Sequence, residues 1–154
     1  MNSTSKMRDS FKERLEDIRG RIERAALSCG RDPATVGLIA VSKTVPADVI
    51  GEAIKAGVTV LGENYIQEAM DKIAALAGHP VSWHFIGHLQ SNKAKYAVSR
   101  FDLIHSVSGF KAARELDKNA AKIGKVQQIL VQVNIGEESS KSGASLDQIG
   151  RAHV

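Results

Sequence analysis

The sequence has little that could cross-link the chain or anchor it in a membrane. Cys29 is the only cysteine among the 154 residues, which excludes an intrachain disulfide and a thiolate metal cluster. No apolar stretch approaches the roughly 18 residues that predict a membrane helix, and the N-terminus lacks the apolar region of a signal peptide. We therefore expect a globular cytoplasmic protein with no membrane partner, in which Cys29 is a small residue on the core side.

A dense basic block is also lacking. The formal net charge is +4, from 21 Lys and Arg residues against 17 Asp and Glu residues, but the basic residues are spread along helical stretches. This distribution argues against nucleic-acid binding and favours small anionic molecules as ligands. The hydrophobic content of 43% is enough for the core of one ordinary domain.

The chain has no Asn-Gly hairpin signal and no low-complexity linker. An amphipathic helix is predicted near the N-terminus, with Asp9 or Ser10 capping its start, Gly30 just past its end and Pro33 preventing its continuation. After it, strands alternate with helices. The predicted strands are about 37–43, 58–62, 81–87, 102–107 and 127–134, and the predicted helices between them are about 46–56, 64–77, 91–99 and 109–123.

This alternation predicts an α/β fold with a parallel sheet covered by helices. Polar residues occur at the C-terminal end of every strand, where a closed barrel gathers its active site, whereas an open doubly wound sheet concentrates them at one switch point. The sequence therefore favours a (β/α)8 barrel, represented by about five strand-helix units and an N-terminal helix. The polar residues at the strand ends are Lys43, Glu63, Asn64, His84, His88, His105, Ser106 and Asn134.

Lys43 ends the first predicted strand, on the same face as Ile39 and Val41. We expect its amine to be partly buried, and burial favours the neutral form that attacks an aldehyde to make a Schiff base. A lysine that reaches solvent at the strand end explains the same pattern. The stretch "GLIAVSKT" also resembles a phosphate-binding loop, but Ser42 stands where that motif needs glycine, and the four preceding residues form a strand.

Other motifs have both a structural and a functional interpretation. Asn64, in "GENYIQEA", can cap the next helix together with Gln67, or it can direct its side-chain amide at a ligand. His84 and His88 are four residues apart, but they lie on a strand and the following turn without a nearby third ligand, so we expect no metal site. A histidine that packs against a planar ligand, or one satisfied in the core, fits better. The loop containing Lys141 is either an active-site loop or an ordinary surface loop.

Five stretches occur in a distinctive order: "LIAVSKTVP", "GENYIQEA", "WHFIGHLQSNK", "IHSV" and "VNIGEESSKSG". Together they resemble the pyridoxal-phosphate homeostasis protein family, which is similar to the N-terminal barrel domain of alanine racemase and has fold type III. The resemblance implies that Lys43 holds pyridoxal 5'-phosphate (PLP) as a Schiff base, with Asn64 and His84 close to the cofactor. It also implies a monomeric carrier or regulator of the vitamin B6 pool, with PLP-dependent apoenzymes as partners and no established catalytic turnover.

Two alternatives stay open beside this resemblance. A racemase-like enzyme needs a second acid–base residue opposite Lys43, which the sequence does not show. A binding protein without a cofactor needs no Lys43 at all.

A complete (β/α)8 barrel takes roughly 200–250 residues. We therefore expect residues 1–154 to be one C-terminally truncated domain that lacks the family's phosphate-binding residues. The last six residues, 149–154, match a translated sequencing adapter and are expected to be a non-native tail.

Overall fold

A computed structural model of the chain describes residues 3–138, 140–145 and 149. The predicted tail, 149–154, lies outside these residues except for residue 149. The helices are α1 (Ser3–Ser28), α2 (Ala47–Lys55), α3 (Ile66–Ala75), α4 (Ala94–Arg100) and α5 (Phe110–Lys122). The strands are β1 (Ala40–Val41), β2 (Val60–Glu63), β3 (Ser82–Phe85), β4 (Leu103–Val107) and β5 (Gln128–Val131). Short 3₁₀ turns cover Pro33–Thr35 and Ser91–Lys93.

The strands form one parallel sheet in which each new strand lies beside the preceding one, in the order β1-β2-β3-β4-β5. Val41 of β1 pairs with Gly62 of β2, and Gly62 pairs with His84 of β3. A doubly wound sheet reverses its strand order at a switch point, whereas a (β/α)8 barrel adds its strands in sequence. The predicted α/β fold with the topology of a partial barrel is therefore confirmed.

The hydrophobic core lies between the sheet and the helices. Strand alternation sends every second side chain towards the helices. The core residues contributed by the strands include Leu61, Trp83, Phe85 and Ile104, and those contributed by α4 and α5 include Ala94, Ala97, Val98, Ala112, Leu116 and Ala120. The opposite face of the sheet, which we call the inner face, is the one that a closed barrel encloses.

Some predicted details differ from the structure. α1 begins at Ser3 and not at a cap within 9–10, and Met7 and Arg8, just before the predicted start, are good helix formers. Cys29 is exposed and not core-side, because it lies one residue beyond the helix end; its thiol contacts the carbonyl oxygen of Ala26 at 3.2 Å. Gly30 has a φ of 71°, which confirms the predicted left-handed residue after α1.

No described helix combines the length and apolar character that crossing a membrane requires.

Candidate functional site

Lys43 lies in the turn that follows β1. The strand ends at Val41, and the Ser42 amide still donates to the carbonyl oxygen of Gly62 at 2.9 Å before the chain turns towards α2. Lys43 is exposed, and it makes no hydrogen bond or ion pair with any residue that the structure describes. The predicted partial burial of Lys43 is therefore wrong, because the strand ends earlier than predicted and the inner face is open, with Val41 52% exposed.

A buried ionic network lies on the helix side of this turn. It consists of Glu63 at the end of β2 and of Glu68 and Lys72 in α3. Lys72 Nζ lies 2.8 Å from Glu63 Oε1 and 2.6 Å from Glu68 Oε1. Burial acts to lower the pKa of Lys72, but the hydrogen bonds and charges of the two glutamates outweigh it and raise that pKa above its ordinary value. The hydrogen bond from Lys72 lowers the pKa of Glu68, so these two groups are charged at neutral pH.

The ionic network holds the residues on both sides of the candidate lysine. The Ser42 hydroxyl donates to Glu63 Oε1 at 2.7 Å, and the Ser42 carbonyl oxygen accepts from Lys72 Nζ at 2.6 Å. On the other side, the Thr44 amide donates to Glu68 Oε1 at 2.6 Å. This network is not among the predicted features, although the sequence carries two signals for it: a glutamate at a helix-facing strand position and the four-residue spacing of Glu68 and Lys72.

Asn64 follows β2 but does not cap α3. Tyr65 precedes the first turn of α3, and no side chain caps that end of the helix, so the predicted capping role of Asn64 is wrong. Instead, Asn64 Oδ1 is buried and has no hydrogen-bond partner among the described residues. Gly87 approaches its backbone so closely that a Cβ there would lie 2.6 Å from Asn64 Cα. A buried acceptor without a partner costs free energy, and a donor on a ligand would satisfy it.

A cavity of about 430 Å³ lies beside Asn64. Its lining includes the residues that follow β3, among them His88, and the loop after β5 with Asn134 and Lys141. His88 Nδ1 lies 3.3 Å from the hydroxyl of Ser142, a residue of that loop. Within 3–138, 140–145 and 149, no group of three or more His, Cys, Asp or Glu side chains could hold a metal ion.

His84 lies on the inner face of the sheet and pairs with His105 of β4. Its Nδ1 lies 3.0 Å from His105 Nε2, and the two ring centroids are 5.1 Å apart. Burial lowers the pKa of both imidazoles; for His84, the neighbouring His105 lowers the pKa further and Asp102 opposes the shift. Both rings are therefore neutral at pH 7, one donating and the other accepting. His105 is not among the predicted cofactor residues; the signal for it is its position two residues after Leu103, which places both residues on the same face of β4.

The three predicted cofactor residues thus follow or lie on neighbouring strands, but in different surroundings. Lys43 and Asn64 each come two residues after a member of the paired row formed by Val41, Gly62 and His84. Asn64 lines the cavity, whereas Lys43 and His84 are not among its lining residues. The candidate site is consequently the C-terminal edge of the sheet, with the exposed amine of Lys43, the amide oxygen of Asn64 that has no partner among the described residues, and the neutral imidazole of His84.

Comparisons with known proteins agree with this architecture. Residues 14–153 match the family model described as "Alanine racemase, N-terminal domain". The chain is 44% identical over 137 residues to the pyridoxal phosphate homeostasis protein of Pseudomonas aeruginosa, covering 89% of this chain and 60% of that protein. Its identity to the Escherichia coli protein of the same name is 43% over 145 residues, covering 90% and 62%. The chain therefore spans about 60% of the length of the curated relatives that it matches.

Solved structures are also similar. PipY of Synechococcus elongatus with PLP bound has a TM-score of 0.71 and 41% identity, over 83% of this chain and 59% of that chain. A protein of unknown function from Bifidobacterium adolescentis has a TM-score of 0.82 and 30% identity, over 98% of this chain and 64% of that chain. The predicted similarity to the pyridoxal-phosphate homeostasis proteins is thereby confirmed.

Proposed function

Because the chain belongs to the alanine racemase N-terminal domain family, we propose that it binds PLP and takes part in intracellular PLP homeostasis. The observation that carries this proposal is the exposed amine of Lys43, which follows β1 and has no partner within the described part of the chain. PipY has been solved with PLP bound, and the curated relatives are named pyridoxal phosphate homeostasis proteins. These names support the same ligand for this chain.

The proposed role of Lys43 is to hold PLP as a Schiff base. Lys43 would hold the cofactor through its amine, and bound PLP would supply the aldehyde with which an amine forms a Schiff base. No hydrogen bond or ion pair with a described residue has to be broken before Lys43 Nζ reacts. This availability distinguishes it from Lys72, whose ammonium group is buried between two carboxylates.

Asn64 and His84 are the residues that we assign beside the bound cofactor. The buried Oδ1 of Asn64 lacks a donor, and a polar ligand in the neighbouring cavity could supply one. The lowered pKa of His84 keeps its imidazole neutral, so it can pack against a planar ring or hydrogen-bond to it without adding charge. When bound, PLP supplies an electrophilic aldehyde.

We propose that the protein acts as a carrier or regulator of PLP and not as a catalyst. The curated relatives reported above are named for homeostasis. We also propose that residues 1–154 belong to one barrel domain. Delivery of PLP to apoenzymes, a monomeric full-length form and a cytoplasmic location stay predictions.

The experiment that tests this proposal is absorbance spectroscopy of the chain mixed with PLP, followed by borohydride reduction and peptide mass mapping. We expect a yellow adduct on Lys43 that is absent in Lys43→Ala and unchanged in Lys118→Ala, a control at an exposed lysine of α5. Equal adduct formation by the wild type and Lys43→Ala would overturn the proposal. Lys43-dependent racemisation of an amino acid in the same sample would favour the enzyme alternative.

A further inference from the structure

The position of Lys43 depends on groups that do not contact it. We propose that Glu68 and Lys72 are positioning residues, which hold Ser42 and Thr44 so that the Lys43 amine is placed to react with PLP. This inference rests on the proposed function and adds to it the part of the chain that orients the reactive lysine.

Few backbone hydrogen bonds hold the turn that contains Lys43. β1 contains only two residues, so its ladder of hydrogen bonds stops before Lys43. The neighbouring backbone bonds are those from Ser42 to the Gly62 carbonyl and from Val45 to the Ser42 carbonyl. Exposed chain with so few backbone contacts samples several conformations. Additional contacts are needed to keep Lys43 in one place.

The ionic network supplies these contacts on both sides. Lys72 Nζ donates to the Ser42 carbonyl oxygen at 2.6 Å, and Glu68 Oε1 accepts from the Thr44 amide at the same distance. Lys72 and Glu68 also bind each other at 2.6 Å, so α3 holds the turn through one connected unit. Hydrogen bonds of this kind, with a charged donor or acceptor, are stronger and more directional than neutral ones.

Thr44 has an unusual backbone conformation. Its φ of 62° lies in the left-handed region, which a β-branched residue rarely adopts. Such a conformation persists only where the surrounding structure enforces it, and it is typical of functional sites. The Thr44 amide donates to Glu68 Oε1 in this conformation, and we infer that this contact holds it.

A purely structural role of this network would not require charged side chains. Burying Lys72 and Glu63 costs desolvation, and well-packed apolar side chains often stabilise a core at least as well as an ion pair does. Apolar side chains cannot donate to the Ser42 carbonyl or accept from the Thr44 amide. The charged groups thus provide the directed contacts to the turn.

Variants of Glu68 test the proposal, because its side chain is 30% exposed and its loss leaves the fully buried Glu63 paired with Lys72. Glu68→Ala should raise the dissociation constant for PLP by about tenfold, the equivalent of one charge-assisted hydrogen bond. It should also weaken the induced circular dichroism of the bound chromophore, which reports orientation. Glu68→Gln keeps an oxygen that accepts from the Thr44 amide, and it should restore most of both signals.

The matched control is Glu16→Ala. This glutamate also pairs with a lysine four residues away in a helix, since Glu16 Oε1 lies 3.9 Å from Lys12 Nζ in α1. Its removal should leave the dissociation constant for PLP and the induced circular dichroism unchanged. The thermal midpoint of each variant shows whether a loss of PLP binding comes from unfolding of the protein or from misplacement of the Lys43 amine. Where Glu68→Ala does not fold, Glu68→Asp replaces it, because the shortened side chain keeps the charge and moves away from the Thr44 amide.

The two proposals fail in different ways. If the wild type forms no Lys43-dependent adduct, the proposed function is wrong. If the wild type forms it and Glu68→Ala or its substitute shows the same affinity and the same circular dichroism, the positioning role is wrong and PLP binding stands. A loss that Glu68→Gln does not restore also overturns the positioning role, because the contact to Thr44 would then not be its cause.

Discussion

Replacing Lys72 by methionine removes the only cation of the ionic network. Glu63 is 0% exposed, and its Oε1 accepts from both Ser42 and Lys72, whereas its Oε2 has no partner among the described residues. Methionine keeps an unbranched apolar side chain in the same space, so the change is mainly one of charge. Removing one partner of a buried ion pair costs about 3–5 kcal/mol. We expect Lys72→Met to lower the free energy of unfolding by that amount.

The double variant Glu63→Gln/Lys72→Met tests the cause of this loss. It no longer buries an unpaired charge, and its amide oxygen still accepts from the Ser42 hydroxyl. The desolvation penalty of one unpaired polar group is about 1–3 kcal/mol, and more for a charge. We therefore expect the double variant to be more stable than Lys72→Met by at least that amount, although one more residue is changed.

Urea denaturation followed by circular dichroism measures both effects. With a slope of about 2 kcal/mol per molar urea, the midpoint of Lys72→Met should fall by roughly 1.5–2.5 M. Lys12→Met is the control, because it breaks a Lys–Glu pair whose two side chains are each 64% exposed, and exposed pairs contribute little to stability. The reasoning would be refuted if Lys72→Met had the same urea midpoint as the wild type, or if the double variant were less stable than Lys72→Met.

Two further predictions concern the strand ends. Gly87→Ala should lower the thermal midpoint and weaken PLP binding, because the added Cβ would overlap the Asn64 backbone. Gly37→Ala is the control, because no atom lies within 4 Å of its added carbon. Equal thermal midpoints for the two variants would contradict the close approach of Gly87 to Asn64. Acidification should destabilise the protein through His84 and His105, because their pKa values are lowered in the folded state. The stability that these neutral histidines contribute is present above their ordinary pKa of 6.5. It is lost as the pH falls through their lower pKa values in the folded protein. Thermal midpoints measured across this range should depend less on pH in His105→Asn, and an unchanged slope would argue against the histidine pair.

The sequence was sufficient to predict the order of strands and helices, because hydrophobic periodicity records which face of each element is buried. Every predicted strand after α1 is present, although β1 covers only Ala40–Val41 of the predicted 37–43. Hydrophobic periodicity does not indicate where the hydrogen bonds of a strand stop. Because β1 was predicted to extend to residue 43, Lys43 was predicted to be partly buried. The capping prediction for Asn64 failed for a similar reason, because the helix begins after Tyr65.

The ionic network and the histidine pair needed three-dimensional information. Glu63 meets Lys72 because α3 packs back over the end of β2, and no local pattern specifies which strand residue a helical lysine reaches. His84 meets His105 because β3 and β4 pair in a register that aligns His84 with Leu103, two residues before His105. Register is set by the packing of the whole sheet. The sequence could therefore place each residue at a strand end without predicting its partner.

The opposite exposure of two neighbouring residues explains how one turn can serve both stability and reactivity. Ser42 and Lys43 are adjacent, yet Ser42 is buried on the helix side at 4% exposure, whereas Lys43 is exposed. The network contacts the backbone on both sides of Lys43 from the helix side of this turn, and it leaves the inner face free for a ligand. If the network lay on the inner face, its charges would compete with an anionic ligand for the same space. The separation of the two faces is therefore what allows Glu68 and Lys72 to orient Lys43 without blocking it.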